Sequence, residues 1–209
     1  GFKGIVDGLA DMCSTLSLPV VGGNVSLYND SPAGPIPPTP TLAVAGTKDG
    51  YDAPPHTLAG EGDLLVVGDL PLAGAATPRL GGSEYLAQSG GRDRFPTLPD
   101  DPAALVETVA EVADFASTRA THDVSHGGLA VTLAEMVHAD AGADVTLDGA
   151  SGATVDGPQA AAAHLFHEQP GRVVVETTDP AAVREAFDGI APVATLGRAD
   201  TSGSLSVAA

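Results

Sequence analysis

The sequence predicts a mixed α/β protein, and three observations predict it. Short apolar runs of strand length alternate along the chain with segments whose apolar residues recur at helical spacing. Apolar residues make up 43% of the 209, enough to build a core. Glycine pairs follow or approach the ends of several strand-like runs, where a chain must turn before its next element.

Residues 4–17 place Val6, Leu9, Ala10, Cys13 and Leu16 on one helical face, with Cys13 expected as a small buried hydrophobe. Pro19 stops that helix, and a strand is expected through Val20 and Val21 before Gly22-Gly23. Pro32, Pro35, Pro37, Pro38 and Pro40 make residues 30–40 an ordered loop. Thr41–Thr47 reads as an apolar strand, and the turn-rich residues 50–62 as a domain boundary. The run Asp63-Leu64-Leu65-Val66-Val67 is a buried strand. Leu80-Gly81-Gly82-Ser83 enters a short helix. Asp100 or Asp101 caps the next one, with Pro102 at its first position. Its apolar stripe is Leu105, Val106, Val109, Val112, Ala113 and Ala116. A strand at 120–124 runs through Ser125-His126-Gly127-Gly128 into a helix with Leu129, Leu133, Met136 and Val137 inward. Val173–Val175, 193–196 and 205–207 are strands, and residues 180–187 form a helix capped by Asp179.

Composition narrows the function. There are 27 acidic residues against 9 basic ones, a formal net charge of −18, and Lys3 and Lys48 are the two lysines. Such a surface repels a phosphate backbone, so nucleic acid is not the expected partner. Many Asp and few Lys is the pattern of proteins from a salt-rich cytosol, where ions screen the self-repulsion. No apolar run approaches the roughly 18 residues of a membrane span, which argues against a membrane location. The chain opens Gly1-Phe2-Lys3 with no leader, and so reads as a cytoplasmic fragment of something longer. A single cysteine excludes a disulfide framework.

Chemistry-bearing candidates cluster at the glycine pairs. Gly22-Gly23, Gly81-Gly82 and Gly127-Gly128 each let backbone approach a ligand, and successive N–H groups form a nest for an anion. None is a Walker loop or GxGxxG, and a tight turn explains each pair taken singly. On an extended strand Asn24 and Ser26 project to one face. There the Asn24 amide oxygen suits Mg²⁺ and the Ser26 hydroxyl suits substrate oxygens; a turn that uses both side chains locally is the alternative. Asp123, at a strand end, suits either Mg²⁺ near phosphates or a helix cap. Glu168 is a second carboxylate candidate, with a salt bridge to Arg172 as its alternative. His122 with His126, and His164 with His167, make a zinc site conceivable, but the spacing straddles a strand–turn junction and HExxH is missing. Hydrolase chemistry has no elbow and no Cys/His dyad to rest on.

The strings PVVGGNVSLYND, LGGSEYL, HDVSHGGLAVTLAEM and LFHEQPGR, in this order and spacing, resemble the synthetase subunit of phosphoribosylformylglycinamidine synthases of the small, separate-subunit type. The resemblance covers essentially the whole chain. The first string is highly specific, whereas the third is shared across the aminoimidazole-ribonucleotide-synthetase-like superfamily. It implies a fold: residues 1–52 as the end of a second ferredoxin-like domain, and 53–209 as the C-terminal α/β domain. It implies an ATP-dependent carbon–nitrogen ligase of purine biosynthesis that makes formylglycinamidine ribonucleotide from formylglycinamide ribonucleotide and glutamine-derived ammonia. Mg²⁺ and ATP are the implied cofactor and co-substrate, and a glutaminase subunit and a small accessory subunit the implied partners. By position Gly23 resembles the ATP-contacting glycine, Asn24 the Mg²⁺ ligand and Ser26 the substrate-binding serine. Asp123 and Glu168 match places that bind metal and substrate in the first repeat and an auxiliary nucleotide site in the second. His126 stands where the motif often carries Asp, which weakens a metal role for that loop. The family's catalytic histidine and main metal carboxylates lie in a first half that this chain lacks. Two other readings stand beside this one: another superfamily enzyme, such as aminoimidazole ribonucleotide synthase, or a fragment that does no chemistry alone.

Overall fold

The computed structural model describes residues 1–26, 30–35, 39–50, 52–68, 78–147 and 157–208. They form two compact units, Gly1–Tyr51 and Asp52–Ala209.

In the first unit, helix α1 spans Phe2–Thr15. Lys3 and Asp7 pair one turn apart on its exposed side. The hydroxyls of Ser14 and Thr15 turn back onto the carbonyls of Ala10 and Asp11, and the helix ends at Leu16. None of its residues is buried, and Cys13 is half-buried rather than sequestered as the apolar stripe suggests. Strands β1 (Asp30–Ser31) and β2 (Gly34–Pro35) form a two-residue-per-strand antiparallel hairpin. The Ser31 hydroxyl closes it by donating to the Gly34 carbonyl at 2.7 Å. The strands expected at Val20–Val21 and Thr41–Thr47 do not form: both stretches are irregular and exposed. Apolar composition marks a strand only where a neighbour completes the ladder, and among the described residues neither stretch has one.

The second unit carries the core. Its strands are β3 (Asp63–Val67), β4 (Thr118–Asp123), β5 (Gly142–Thr146), β6 (Val173–Thr177), β7 (Val193–Asp200) and β8 (Leu205–Ala208). They make one sheet in the order β4-β6-β3-β7-β5-β8. Every neighbouring pair is antiparallel except β5 with β8. Helices α2 (Glu84–Ser89), α3 (Pro102–Ala113), α4 (Gly128–Met136), α5 (Pro158–Phe166) and α6 (Pro180–Ala186) complete the unit.

Both faces of the sheet are covered, which is why β3 reads as an unbroken apolar run rather than an alternating one. Leu64 and Val66 pack with Leu129, Leu133 and Met136 of α4, and α5 adds Ala160, Ala161 and Leu165. Leu65 and Val67 face the other way, onto Leu105 and Val112 of α3, Val183 of α6, and Phe187. Each such side chain contributes about 1.5–3 kcal/mol by leaving water. The helix starts are capped as their residues suggest. The carboxylates of Asp101 and Asp179 accept from the N–H of Ala104 and Ala182, with Pro102 and Pro180 at the first helical positions. One detail of the α3 stripe departs from expectation. Val106 is exposed and Thr108 is buried in its place, its hydroxyl satisfied by the Ala104 carbonyl at 2.8 Å.

Glu176 on β6 is fully buried, yet its carboxylate is well supplied with donors. It accepts from the N–H of Ala59 at 2.6 Å, Glu61 at 3.0 Å and Gly62 at 3.2 Å. A buried carboxyl group is tolerated only when hydrogen-bonded, and here three backbone donors hold it while it holds the loop that leads into β3.

Candidate functional site

The Gly22–Ser26 segment lies in the first unit as exposed, irregular chain. A Cβ built at Gly22 or Gly23 would meet no atom within 4 Å. Asn24 and Ser26 are exposed, and the strand expected to align them is not formed. Leu27, Tyr28 and Asn29 of the same string lie outside the described residues.

The second unit behaves differently: its three motif segments meet at one carboxylate. Strand β4 ends at Asp123, and the chain turns through Ser125 to Gly128 into α4. Gly127 and Gly128 both have left-handed backbone, with φ of 82° and 68°. A Cβ at Gly128 would lie 2.7 Å from the Leu165 carbonyl oxygen and 2.8 Å from that of His167, so only glycine lets α4 start against the end of α5. That contact brings Glu168 alongside. Its Oε1 accepts from the N–H of Glu84 at 2.8 Å and of Gly127 at 3.0 Å. These donors open α2 and α4, where unpaired N–H groups and the helix dipoles favour an anion. The half-buried Glu168 thus joins LGGSEYL to HDVSHGGL.

Neighbouring contacts tighten the junction. His126 Nε2 lies 3.1 Å from Glu84 Oε1. Tyr85 and Phe166 stack with ring centroids 5.2 Å apart and planes 11° apart. Ser83, buried, caps α2 by accepting from the Leu86 N–H and donates its own proton to the Leu80 carbonyl. His167 is buried beside Glu168, and its Nε2 finds no hydrogen-bond partner. Burial first, then the Arg172 and His164 charges, push its pKa down to about 3, so the ring is neutral at ordinary pH. His164 is lowered as well, by burial and then by Arg172.

Asp123 stands at the strand end as expected, with its side chain 73% exposed, and so is not a buried cap. Its backbone carbonyl instead accepts from the Thr132 hydroxyl at 3.0 Å. The His122–His126 pair diverges: His122 faces His56 edge-on and lies 3.6 Å from Glu135, whereas His126 turns to Glu84. Among the described residues no group of three or more His, Cys, Asp or Glu could hold a metal ion. For Mg²⁺ this still leaves a fit. That ion keeps most of its waters and takes one or two protein oxygens beside phosphates, so the exposed Asn24 amide or the exposed Asp123 carboxylate could each supply a single ligand. Two residues escaped the sequence reading. Glu176 has no local signal, because its donors lie more than a hundred residues upstream. Glu84 could have been noticed as the first residue of a helix entered from a glycine pair.

Residues 60–209 match the family described as AIR synthase related protein, C-terminal domain. The chain belongs to that family. Its curated relatives include phosphoribosylformylglycinamidine synthase subunit PurL of Haloarcula marismortui, 68% identical over 207 residues, which are 99% of this chain and 28% of that protein. PurL of Natronomonas pharaonis is 66% identical over 98% of this chain and 27% of its own length. PurL of Methanosarcina acetivorans is 37% identical over 94% and 27%. The chain therefore spans little more than a quarter of the relatives it matches. The AIR synthase related fold is also seen in the crystal structure of phosphoribosylformylglycinamidine synthase II from Thermotoga maritima, with a TM-score of 0.51 and 16% identity over 71% of this chain and 23% of that one. The T. maritima PurL complexed with AMPPCP gives 0.50 and 16% over 74% and 24%. At that identity the likeness speaks for the fold alone. No described helix is long and apolar enough to cross a membrane.

Proposed function

We propose that this chain is the C-terminal part of a phosphoribosylformylglycinamidine synthase subunit, an ATP-dependent ligase of purine biosynthesis. The observation that carries the reading is the 68% identity to a curated PurL across 99% of the chain. In the reaction, the amide oxygen of formylglycinamide ribonucleotide takes the γ-phosphoryl group of ATP, with ADP leaving. Ammonia then adds at that carbon and phosphate departs, giving the amidine. A glutaminase subunit supplies the ammonia and a small accessory subunit completes the assembly, in the cytoplasm.

Residues 1–52 end the second ferredoxin-like domain and 53–209 form the C-type domain. Gly23 lies against ATP, where a missing side chain lets backbone N–H reach phosphate. Asn24 offers one oxygen to Mg²⁺, and Ser26 a hydroxyl to the ribonucleotide. Bound Mg²⁺ neutralises polyphosphate charge. That role is pressing in a chain with a net charge of −18. Asp123 belongs to an auxiliary nucleotide site in the second unit. The acid–base residue and the main metal carboxylates lie elsewhere in the longer protein, and the 209 residues alone are inactive.

A substrate panel on the full-length protein tests the reading. With ammonia and Mg²⁺, ADP release should depend on formylglycinamide ribonucleotide and not on formylglycinamidine ribonucleotide or thiamine phosphate. ADP release driven by formylglycinamidine ribonucleotide would instead mark an aminoimidazole ribonucleotide synthase.

A further inference from the structure

Five aspartates of the chain are followed by glycine: Asp7, Asp49, Asp148, Asp156 and Asp188. In such a pair the glycine nitrogen can attack the side-chain carboxyl carbon of the aspartate, because no side chain on the glycine stands in the way. Ring closure needs that amide free of hydrogen bonds and the backbone free to turn, so the fold decides which pair reacts. Asp148 and Asp156 lie outside the described residues. Asp7-Gly8 lies inside α1, where helical bonding holds the amide and Lys3 pairs with the Asp7 carboxylate. Asp188-Gly189 follows α6 in a turn pinned on both sides. The Asp188 N–H donates to the Glu185 carbonyl at 3.2 Å, and the N–H groups of Ile190 and Ala191 donate to the Phe187 carbonyl at 3.0 and 3.1 Å. Phe187 is itself buried in the core. Asp49-Gly50 has no such restraint. It lies in a bend on exposed, irregular chain at the end of the first unit. Neither residue hydrogen-bonds to another described residue. A Cβ at Gly50 would meet no atom within 4 Å, so nothing encloses its backbone.

We propose that Asp49-Gly50 is a site of spontaneous covalent modification, at which aspartate converts to isoaspartate at the boundary between the two units. The Gly50 nitrogen bonds to Asp49 Cγ, the proton of that nitrogen and the hydroxyl of the carboxyl group leave as water, and a succinimide ring results. Water then opens the ring at one of its two carbonyls. Hydrolysis at Cγ breaks the new bond and restores aspartate. Hydrolysis at the main-chain carbonyl breaks the original peptide bond instead and leaves Gly50 joined through Cγ. The reaction consumes no oxidant or cofactor, and water is its sole co-reactant. In the product the main chain runs through Cβ and is one atom longer, while the carboxylate charge is kept. Neither apolar cluster includes residue 49 or 50, so the ring can close without opening a core. Exposed loop positions of this kind are where chain chemistry concentrates.

The test compares pairs within one molecule. The full-length protein is aged near neutral pH in heavy-oxygen water, once folded in concentrated salt and once unfolded in denaturant. Each ring opening fixes one heavy oxygen. Digestion with a protease that cuts before aspartate but not before isoaspartate, followed by mass spectrometry, then gives the rate at each pair. Dividing the folded rate by the unfolded one removes the influence of neighbouring residues. The expected result is a folded rate at Asp49 within about threefold of its unfolded rate, with Asp7 and Asp188 slowed at least about tenfold by their hydrogen-bonded backbone. Asp49→Glu, which would have to close a larger ring, should leave position 49 unmodified and the other rates as they were. A greater than about threefold slowing at Asp49 on folding would overturn the proposal, because the backbone there would then be restrained. Folded rates at Asp7 or Asp188 equal to that at Asp49 would overturn it too, because the fold would not be selecting the site. The measurement reads covalent chemistry alone, so its outcome is independent of the reaction that the longer protein catalyses.

Discussion

The Gly22–Ser26 segment and the Glu168 junction both belong to the motif strings of the sequence, yet the chain treats them in opposite ways. At the junction, segments far apart in sequence are locked together: Glu168 binds the starts of two helices, Gly128 leaves no room for a Cβ, and Tyr85 stacks on Phe166. At Gly22–Ser26 the residues are exposed, and an added Cβ at either glycine would touch nothing. A specific motif is therefore not the same as a preorganised one. The junction residues are held by their own fold, so their substitution registers first as stability. In our account Gly23, Asn24 and Ser26 are held by ligand and metal, so their substitution registers as activity.

Stability measurements can break that contrast. The largest effect belongs to Glu176, the fully buried counterpart of Glu168. Glu176→Ala strands three backbone donors and should cost about 3–5 kcal/mol in denaturant unfolding, less whatever water enters the gap. A loss near zero would mean that the loop at 59–62 finds other acceptors. Next comes His167. Its folded pKa of about 3 lies below the ordinary histidine value of 6.5, so the unfolded chain binds the extra proton. Stability from this group is therefore complete above about pH 6.5 and falls as pH drops towards 3, by at most about 1.4 kcal/mol per unit. His167→Leu should flatten the pH dependence across that window by about this slope, and an identical slope in both proteins would refute the assigned burial. The smallest effect is at Glu168, whose half-exposed position lets water replace it. Glu168→Ala should cost about 1–2 kcal/mol and loosen the first turns of α2 and α4 in hydrogen exchange. Unaltered protection at Glu84 and Gly127 would contradict the clasp.

The sequence made the second unit legible for a physical reason. Leu64–Val67, the Asp101-Pro102 and Asp179-Pro180 starts, and the apolar face of α4 all state their surroundings locally, through burial pattern or capping chemistry. The first unit was read less well. Val20–Val21 and Thr41–Thr47 carry strand composition but form no strand, because ladder formation depends on a neighbour that composition does not report. The site divides the same way. The glycine pair at Gly127-Gly128 announced a close approach, and the structure names what approaches. The role of Glu168 was out of reach, because its donors are 84 and 41 residues away. The motif resemblance supplied the family, whereas the burial of Glu176 and His167 had to come from three-dimensional structure.

We propose that Gly23 to Ser26 form one wall of the ATP and Mg²⁺ site of a larger synthetase. Asn24→Ala in the full-length protein, assayed for turnover across a Mg²⁺ titration alongside thermal unfolding, tests it most directly. The account predicts turnover lower by about 10²-fold or more, partly recovered at high Mg²⁺, with an unfolding midpoint equal to wild type. Wild-type kinetics at every Mg²⁺ concentration would contradict it.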